Sequence, residues 1–214
     1  MSDTEGAKPW FFDLWSSFYD EALVQRLVYR PVHDAIVEAL RQEPVQRLLD
    51  LGCGTGLLTS RLKREVRSPR VVGLDYSPGM LAQAKRNPEH IDWVQAGASA
   101  LPFADASFDA ITSSEAFHWF PDQALALREC HRVLRPGGRV LVAIVNPDFE
   151  LVGSVAGMLS SALGQPLEWP SADGMRRLLE NAGFELVAQR RVFRPVFGLL
   201  LPPVLSIARR PCAS

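Results

Sequence analysis

Short apolar runs recur along the chain at residues 47–51, 70–75, 91–95, 108–113 and 139–145, and helix-length segments separate them. Each run is too short for a helix and lacks the strict alternation of a half-exposed strand, so the runs read as strands buried on both faces. The segments between them carry helical signals. Residues 57–65 follow a glycine cluster, 77–86 begin with Ser77 as N-cap and Pro78 behind it, 123–133 carry Leu125, Leu127 and Val133, and 171–182 open at Ser171 and stop at Gly183. Ahead of all these, residues 10–40 read as helical, with Val32, Ile36 and Leu40 four apart and Pro31 suited to a first turn. Strand and helix in alternation predict an α/β protein with a doubly wound, Rossmann-like, mostly parallel sheet.

The C-terminus breaks the rhythm. Residues 184–192 and 204–209 both read as strands, yet only eleven residues join them, punctuated by Pro195, Pro202 and Pro203. A parallel crossover needs a dozen or more residues and usually a helix, so these two strands are expected to be antiparallel neighbours. The sheet therefore ends with an antiparallel C-terminal strand. At 214 residues, with 47% hydrophobic and 22% charged, the chain is long enough for one sizeable core and reads as a single domain.

A formal net charge of −1 supplies no basic field for a polyanion, which makes nucleic acid a poor partner. Cys53, Cys130 and Cys212 form an odd, widely spaced set without a metal-ligand spacing. No metal is expected. The stretch MSDTEGAKPWFF begins with acids and lacks the basic and apolar regions of an export signal. The most apolar stretch, residues 141–164, is interrupted by Asn146, Pro147, Asp148 and Glu150, so no membrane span is expected and the chain reads as soluble and cytoplasmic.

The first strand runs into LLDLGCGTG, where Gly52, Gly54 and Gly56 stand at every second position. In an open α/β sheet a ligand sits beyond the carboxyl ends of the strands, where the first turn enters a helix, and glycines there let it approach the backbone. Asp75 ends the next strand, twenty-three residues after Gly52, the separation at which a carboxylate commonly meets a ribose diol. The ligand is thus read as a nucleoside. Position 57 is Leu, so the dinucleotide fingerprint is incomplete, and no GKS or GKT ending marks a triphosphate loop.

LLDLGCGTG, VVGLDYSPGML, ALPFADASFDAITSSEAFHWF and RVLRPGGRV, in that order, resemble the motifs of class I S-adenosylmethionine-dependent methyltransferases. The likeness is to the type 11 branch, which includes quinone-biosynthesis C-methyltransferases and small-molecule O-methyltransferases, and it is strong over residues 45–145. It implies S-adenosyl-L-methionine as cofactor. Carried over, Asp50, Gly52 and Gly54 lie beside the methionine part; Asp75 holds the ribose; Tyr76 and Met80 flank adenine; Ala98 and Leu101 line its other side. Ser113 and Ser114 approach the sulfonium end, and Tyr19, in SFYD, closes over it. Relatives commonly carry an acid where this chain has Gly97, in AGASALPF, so the contact to the adenine amino group is missing or is replaced by Ser99 or a backbone carbonyl. The resemblance divides the domain into a helical cap (10–44), a cofactor-binding core (45–145), a lid (146–170) and the end of the sheet (171–214).

A sulfonium makes its methyl group electrophilic, so the protein has to place a nucleophile in line and exclude water. His118, in SEAFHWF, is the His expected to border the methyl group, and an ordinary imidazole pKa near 6.5 suits a general base. The alternative is that His118 orients substrate or packs on Trp119. Glu115 is a second candidate. Cys53 and Cys130 are read as packing residues, and His33, His90 and His131 as structural or exposed. The aromatic and apolar residues 10–19, 117–120 and 149–169 favour a small, partly hydrophobic acceptor. Two other readings stand beside the enzyme: a sensor or partner subunit that binds the cofactor without turnover, and a methyltransferase acting on RNA or protein.

Overall fold

Three helices begin where a short polar side chain caps the free amide three residues on. Ser77 Oγ accepts from Met80 N at 3.1 Å, Asp122 Oδ1 from Leu125 N at 2.7 Å, and Ser171 Oγ from Gly174 N at 3.0 Å. The computed structural model describes residues 29–66, 68, 70–87, 89–145, 169–193 and 202–212. Tyr19, the cap before residue 29 and residues 146–168 of the lid lie outside the described residues.

The elements run α1 (Arg30–Arg41), β1 (Arg47–Leu51), α2 (Leu57–Arg61), β2 (Arg70–Asp75), α3 (Pro78–Ala84), β3 (Asp92–Gln95), β4 (Phe108–Ser114), α4 (Gln123–Val133), β5 (Leu134–Val145), α5 (Ala172–Asn181), β6 (Glu185–Arg191) and β7 (Pro203–Arg209). The strands form one sheet in the order β3-β2-β1-β4-β5-β7-β6. The first five are parallel; β7 runs antiparallel to both β5 and β6, as the short connection requires.

The two-residue period of a strand divides the apolar side chains into two cores. Leu49, Leu51, Val72, Leu74 and Ile111 pack with Leu127 of α4 and Leu179 of α5. Leu48, Val71, Ala110 and Leu141 pack with Val32, Ile36 and Leu40 of α1 and Leu58 of α2. Cover on both faces is why the central strands read as unbroken apolar runs. The expectation of a buried strand fails at β3, which is largely exposed because it has only one neighbouring strand; β6, at the other edge, is exposed for the same reason.

Two boundaries also differ from the sequence reading. The helix expected over 57–65 is α-helical only to Arg61 and continues as a wider π turn over Leu62–Val66. Strand β5 starts at Leu134 rather than 139. Between Phe108, paired with Leu134, and Ala110, paired with Arg139, the register jumps over the residues that carry Gly137 and Gly138. Gly137 has φ +76°, and this excursion is secured by Gly137 N donating to Arg210 O and Arg210 N to Gly138 O, both at 2.8 Å.

Candidate functional site

The carboxyl ends of β1, β2 and β4 meet at the glycine turn. Gly52, Gly54 and Gly56 have φ of +72°, +54° and +80°. A Cβ on Gly52 would lie 2.4 Å from Ala116 Cβ, and one on Gly56 2.4 Å from the Trp93 ring, so neither position tolerates a side chain. The turn is bolted to β2, since Gly52 N and Cys53 N both donate to Leu74 O at 2.8 and 3.0 Å.

Asp75 joins the two turns that follow β1 and β2. Its Oδ2 accepts from Gly54 N at 2.8 Å and its Oδ1 from Ser77 N at 2.9 Å. Burial raises its pKa, and the amides of Ser77, Gly54 and Tyr76 partly offset that. Asp50 is buried behind the glycines and accepts from Thr59 Oγ1 at 2.6 Å and Thr112 Oγ1 at 2.9 Å. Burial pushes its carboxyl up to about 6 despite those two donors. Cys53 is buried too, and desolvation together with the nearby acids Asp75 and Asp50 drives its pKa far above the ordinary thiol value. It is a thiol, and thus a packing residue rather than a nucleophile. Cys130, pushed up to about 12 by burial, is core.

Beside the turn, Met80 is buried with its Sδ 4.0 Å from where a Gly54 Cβ would stand, and Tyr76 is 56% exposed. Ala98 and Leu101 are buried in the wall behind. The Leu101 amide is already committed: its N donates to Glu129 Oε2 at 2.8 Å and its O accepts from Arg132 Nη2 at 3.0 Å. At Gly97 a Cβ would meet nothing within 4 Å.

The end of β4 concentrates polar groups without partners. Ser113 Oγ, Ser114 Oγ and His118 Nδ1 are buried and make no hydrogen bond. An unsatisfied buried group of this kind costs about 1–3 kcal/mol, which points to a ligand as the missing partner. Next to them Glu115 holds φ +55°, a left-handed conformation costly for a residue with a Cβ. It is held there by Glu115 N donating to Ala143 O at 2.7 Å and Glu115 Oε2 accepting from Val145 N at 3.3 Å.

His118 lies in a 3-10 turn, Phe117–Trp119, and is only 8% exposed. Its ring centroid is 5.3 Å from that of Trp119 and 5.5 Å from that of Trp169. Burial pushes its pKa down to about 3, well below the ordinary imidazole value near 6.5 that suits a general base. His33, read from sequence as structural or exposed, comes to the site instead. It is buried and lines a recess with Asp50, Gly52, Cys53, Leu57, Leu58 and Ser114. Nothing within the helical pattern around His33 marks it, because the recess forms only when α1 packs beside β1. Among the described residues no cluster of three or more His, Cys, Asp or Glu could hold a metal, and no helix is long and apolar enough to cross a membrane.

Residues 49–142 match the family described as methyltransferase domain. A demethylmenaquinone methyltransferase of Thermus thermophilus is 36% identical over 71% of this chain and 80% of its own length. A malonyl-[acyl-carrier protein] O-methyltransferase of Hahella chejuensis is 32% identical over 76% of this chain, which spans about half of that protein (55%). A Haloferax volcanii methyltransferase solved in complex with a methyltransferase activator superposes with TM-score 0.78 at 24% identity, over 94% of this chain and 97% of that one.

Proposed function

The chain belongs to the class I S-adenosylmethionine-dependent methyltransferases, and on that premise we propose that it methylates a small, partly hydrophobic acceptor by direct in-line displacement. S-adenosyl-L-methionine is the cofactor of the family, and the residues present fit it. Gly54 offers open backbone toward the cleft. Asp75 accepts from Gly54 N on one carboxylate oxygen and from Ser77 N on the other, with the Tyr76 amide beside it, and a carboxylate's four lone pairs leave room for a ribose hydroxyl. Ser113 Oγ is buried and free to bind the amino-acid tail. Gly52 and Gly54 bring the backbone to the methionine part, while Asp50 supplies a buried carboxylate whose ionised form a cationic ligand would favour. Tyr76 and Met80 flank adenine on one side, and Ala98 and Leu101 wall the other.

When bound, the sulfonium supplies an electrophilic methyl carbon. What remains for the chain is to orient the acceptor and exclude water. His118 serves as a neutral imidazole that fixes the acceptor, since its burial leaves it too weak a base to remove a proton from a phenol or amine at neutral pH. The observation that carries this reading is the group of partnerless buried atoms at the end of β4, beside Gly54, where a Cβ would meet nothing nearer than Met80 Sδ at 4.0 Å. With a net charge of −1, RNA is disfavoured as acceptor. Incubation of the protein with methyl-labelled cofactor and fractionated cell extract tests it. Label is expected in small organic molecules; label confined to RNA or protein would contradict the proposal.

A further inference from the structure

The recess between α1 and the glycine turn is lined by His33 of α1, Asp50 and Cys53 after β1, Leu57 and Leu58 of α2, and Ser114 of β4. Asp50 stands two residues beyond Leu48 in β1, and Ser114 four beyond Ala110 in β4, so strand alternation turns both toward the core in which α1 packs. Polar side chains from three separate elements thus surround one small space. Ser114 Oγ is buried without a hydrogen-bond partner, at a cost of about 1–3 kcal/mol that a ligand would remove.

These groups differ in what they can hold. Asp50 accepts from Thr59 Oγ1 and Thr112 Oγ1, and a carboxylate's four lone pairs leave room for a cation. His33 and Ser114 supply donors, since an imidazole carries an N–H in either charge state and a hydroxyl can turn its hydrogen toward an acceptor. An anion set against Asp50 is repelled, whereas one set against the imidazole and the hydroxyl gains charge-assisted hydrogen bonds. An ammonium and a carboxylate on one carbon, with a short hydrocarbon stem to lie against Leu57, Leu58 and Cys53, match this division. That group is a zwitterionic α-amino acid.

We propose that His33 is a cofactor-binding residue: with Ser114 it holds the α-carboxylate of the cofactor's amino-acid tail, while Asp50 takes the α-ammonium. This rests on the methyltransferase reading of the site. Calorimetry on the full chain tests it, with S-adenosylhomocysteine and with 5′-methylthioadenosine, which shares the nucleoside and thioether but lacks the amino-acid tail. Wild type is expected to bind S-adenosylhomocysteine at least about tenfold more tightly. His33→Leu, which fills the position and removes the N–H, should weaken S-adenosylhomocysteine about tenfold, the worth of a hydrogen bond to a charged group, and leave 5′-methylthioadenosine within about twofold. His33→Gln, which restores an N–H, should recover most of that loss. Ser114→Ala, which leaves α1 untouched, should show the same tail-specific loss at about fivefold, and it decides if His33→Leu does not fold. Equal affinity of wild type for the two ligands, full S-adenosylhomocysteine affinity in folded His33→Leu or in Ser114→Ala, or parallel weakening of both ligands would overturn the inference alone. Failure of wild type to bind either ligand would overturn the methyltransferase reading with it.

Discussion

Gly97 stands where relatives of this family commonly carry an acid, and the space that acid would fill is open: a Cβ there meets nothing within 4 Å. Its φ lies outside the left-handed region, so a side chain would not be strained. Gly97→Asp is therefore expected to tighten S-adenosylhomocysteine binding by about 1 kcal/mol, the worth of one added hydrogen bond to the adenine amino group. Titration calorimetry of the variant checks this, and weaker or unchanged binding would place adenine elsewhere. Asp50 makes a different kind of prediction. Its carboxyl titrates at about 6 in the fold and at about 3.9 in an unfolded chain. Between those values the folded protein keeps a proton that the unfolded chain has lost, so this residue makes stability fall as pH rises from about 4 to about 6. The difference corresponds to about 3 kcal/mol. Glu43, Glu65 and Glu129, whose pKa values are lowered chiefly by hydrogen bonds from arginines, act with the opposite sign. The comparison must accordingly be between wild type and Asp50→Asn: unfolding free energies measured from pH 4 to 7 should show the variant gaining on wild type as pH rises. Parallel curves would mean Asp50 ionises normally.

At the scale of elements, α4 shapes the wall behind the nucleoside site. Arg132 donates to Phe103 O at 2.8 Å, Leu101 O at 3.0 Å and Asp105 at 2.8 Å, while Glu129 receives the Leu101 amide at 2.8 Å and pairs with Arg132 at 2.8 Å. Arg132→Ala leaves those carbonyls without a donor and should cost about 1–3 kcal/mol of stability. It should also raise the KM for cofactor several-fold with kcat unchanged; a fall in kcat at saturating cofactor would show that the wall serves the reacting centre instead. Helix starts were legible because a cap is a local device: Ser77 and Ser171 stand at the positions their spacing predicts. The π turn after Arg61, the early start of β5 and the exposure of β3 and β6 were not. The last two depend on partners distant in sequence, Arg210 across from Gly137 and the position of an edge in the sheet, and no single segment encodes them.

For the whole molecule, alternation of strands and helices foretold a mostly parallel sheet, and a connection too short for a crossover foretold the reversal of β7. The glycine turn and Asp75 were legible for the same reason, since each sits at a strand end whose direction is fixed by the fold. His33 and the lowered pKa of His118 were hidden, because one depends on the docking of α1 and the other on burial beside Trp119 and Trp169, some fifty residues apart in sequence. The central claim is that the ends of β1, β2 and β4 form one nucleoside site that Asp75 governs. Calorimetry with S-adenosylhomocysteine and with NAD, on wild type and Asp75→Ala, tests it most directly. One S-adenosylhomocysteine per chain, no NAD, and an affinity lower by about 1.5–3 kcal/mol in a folded Asp75→Ala are expected, from the loss of hydrogen bonds to a charged acceptor. Tight NAD binding without heat from S-adenosylhomocysteine, or full affinity in the variant, would contradict it.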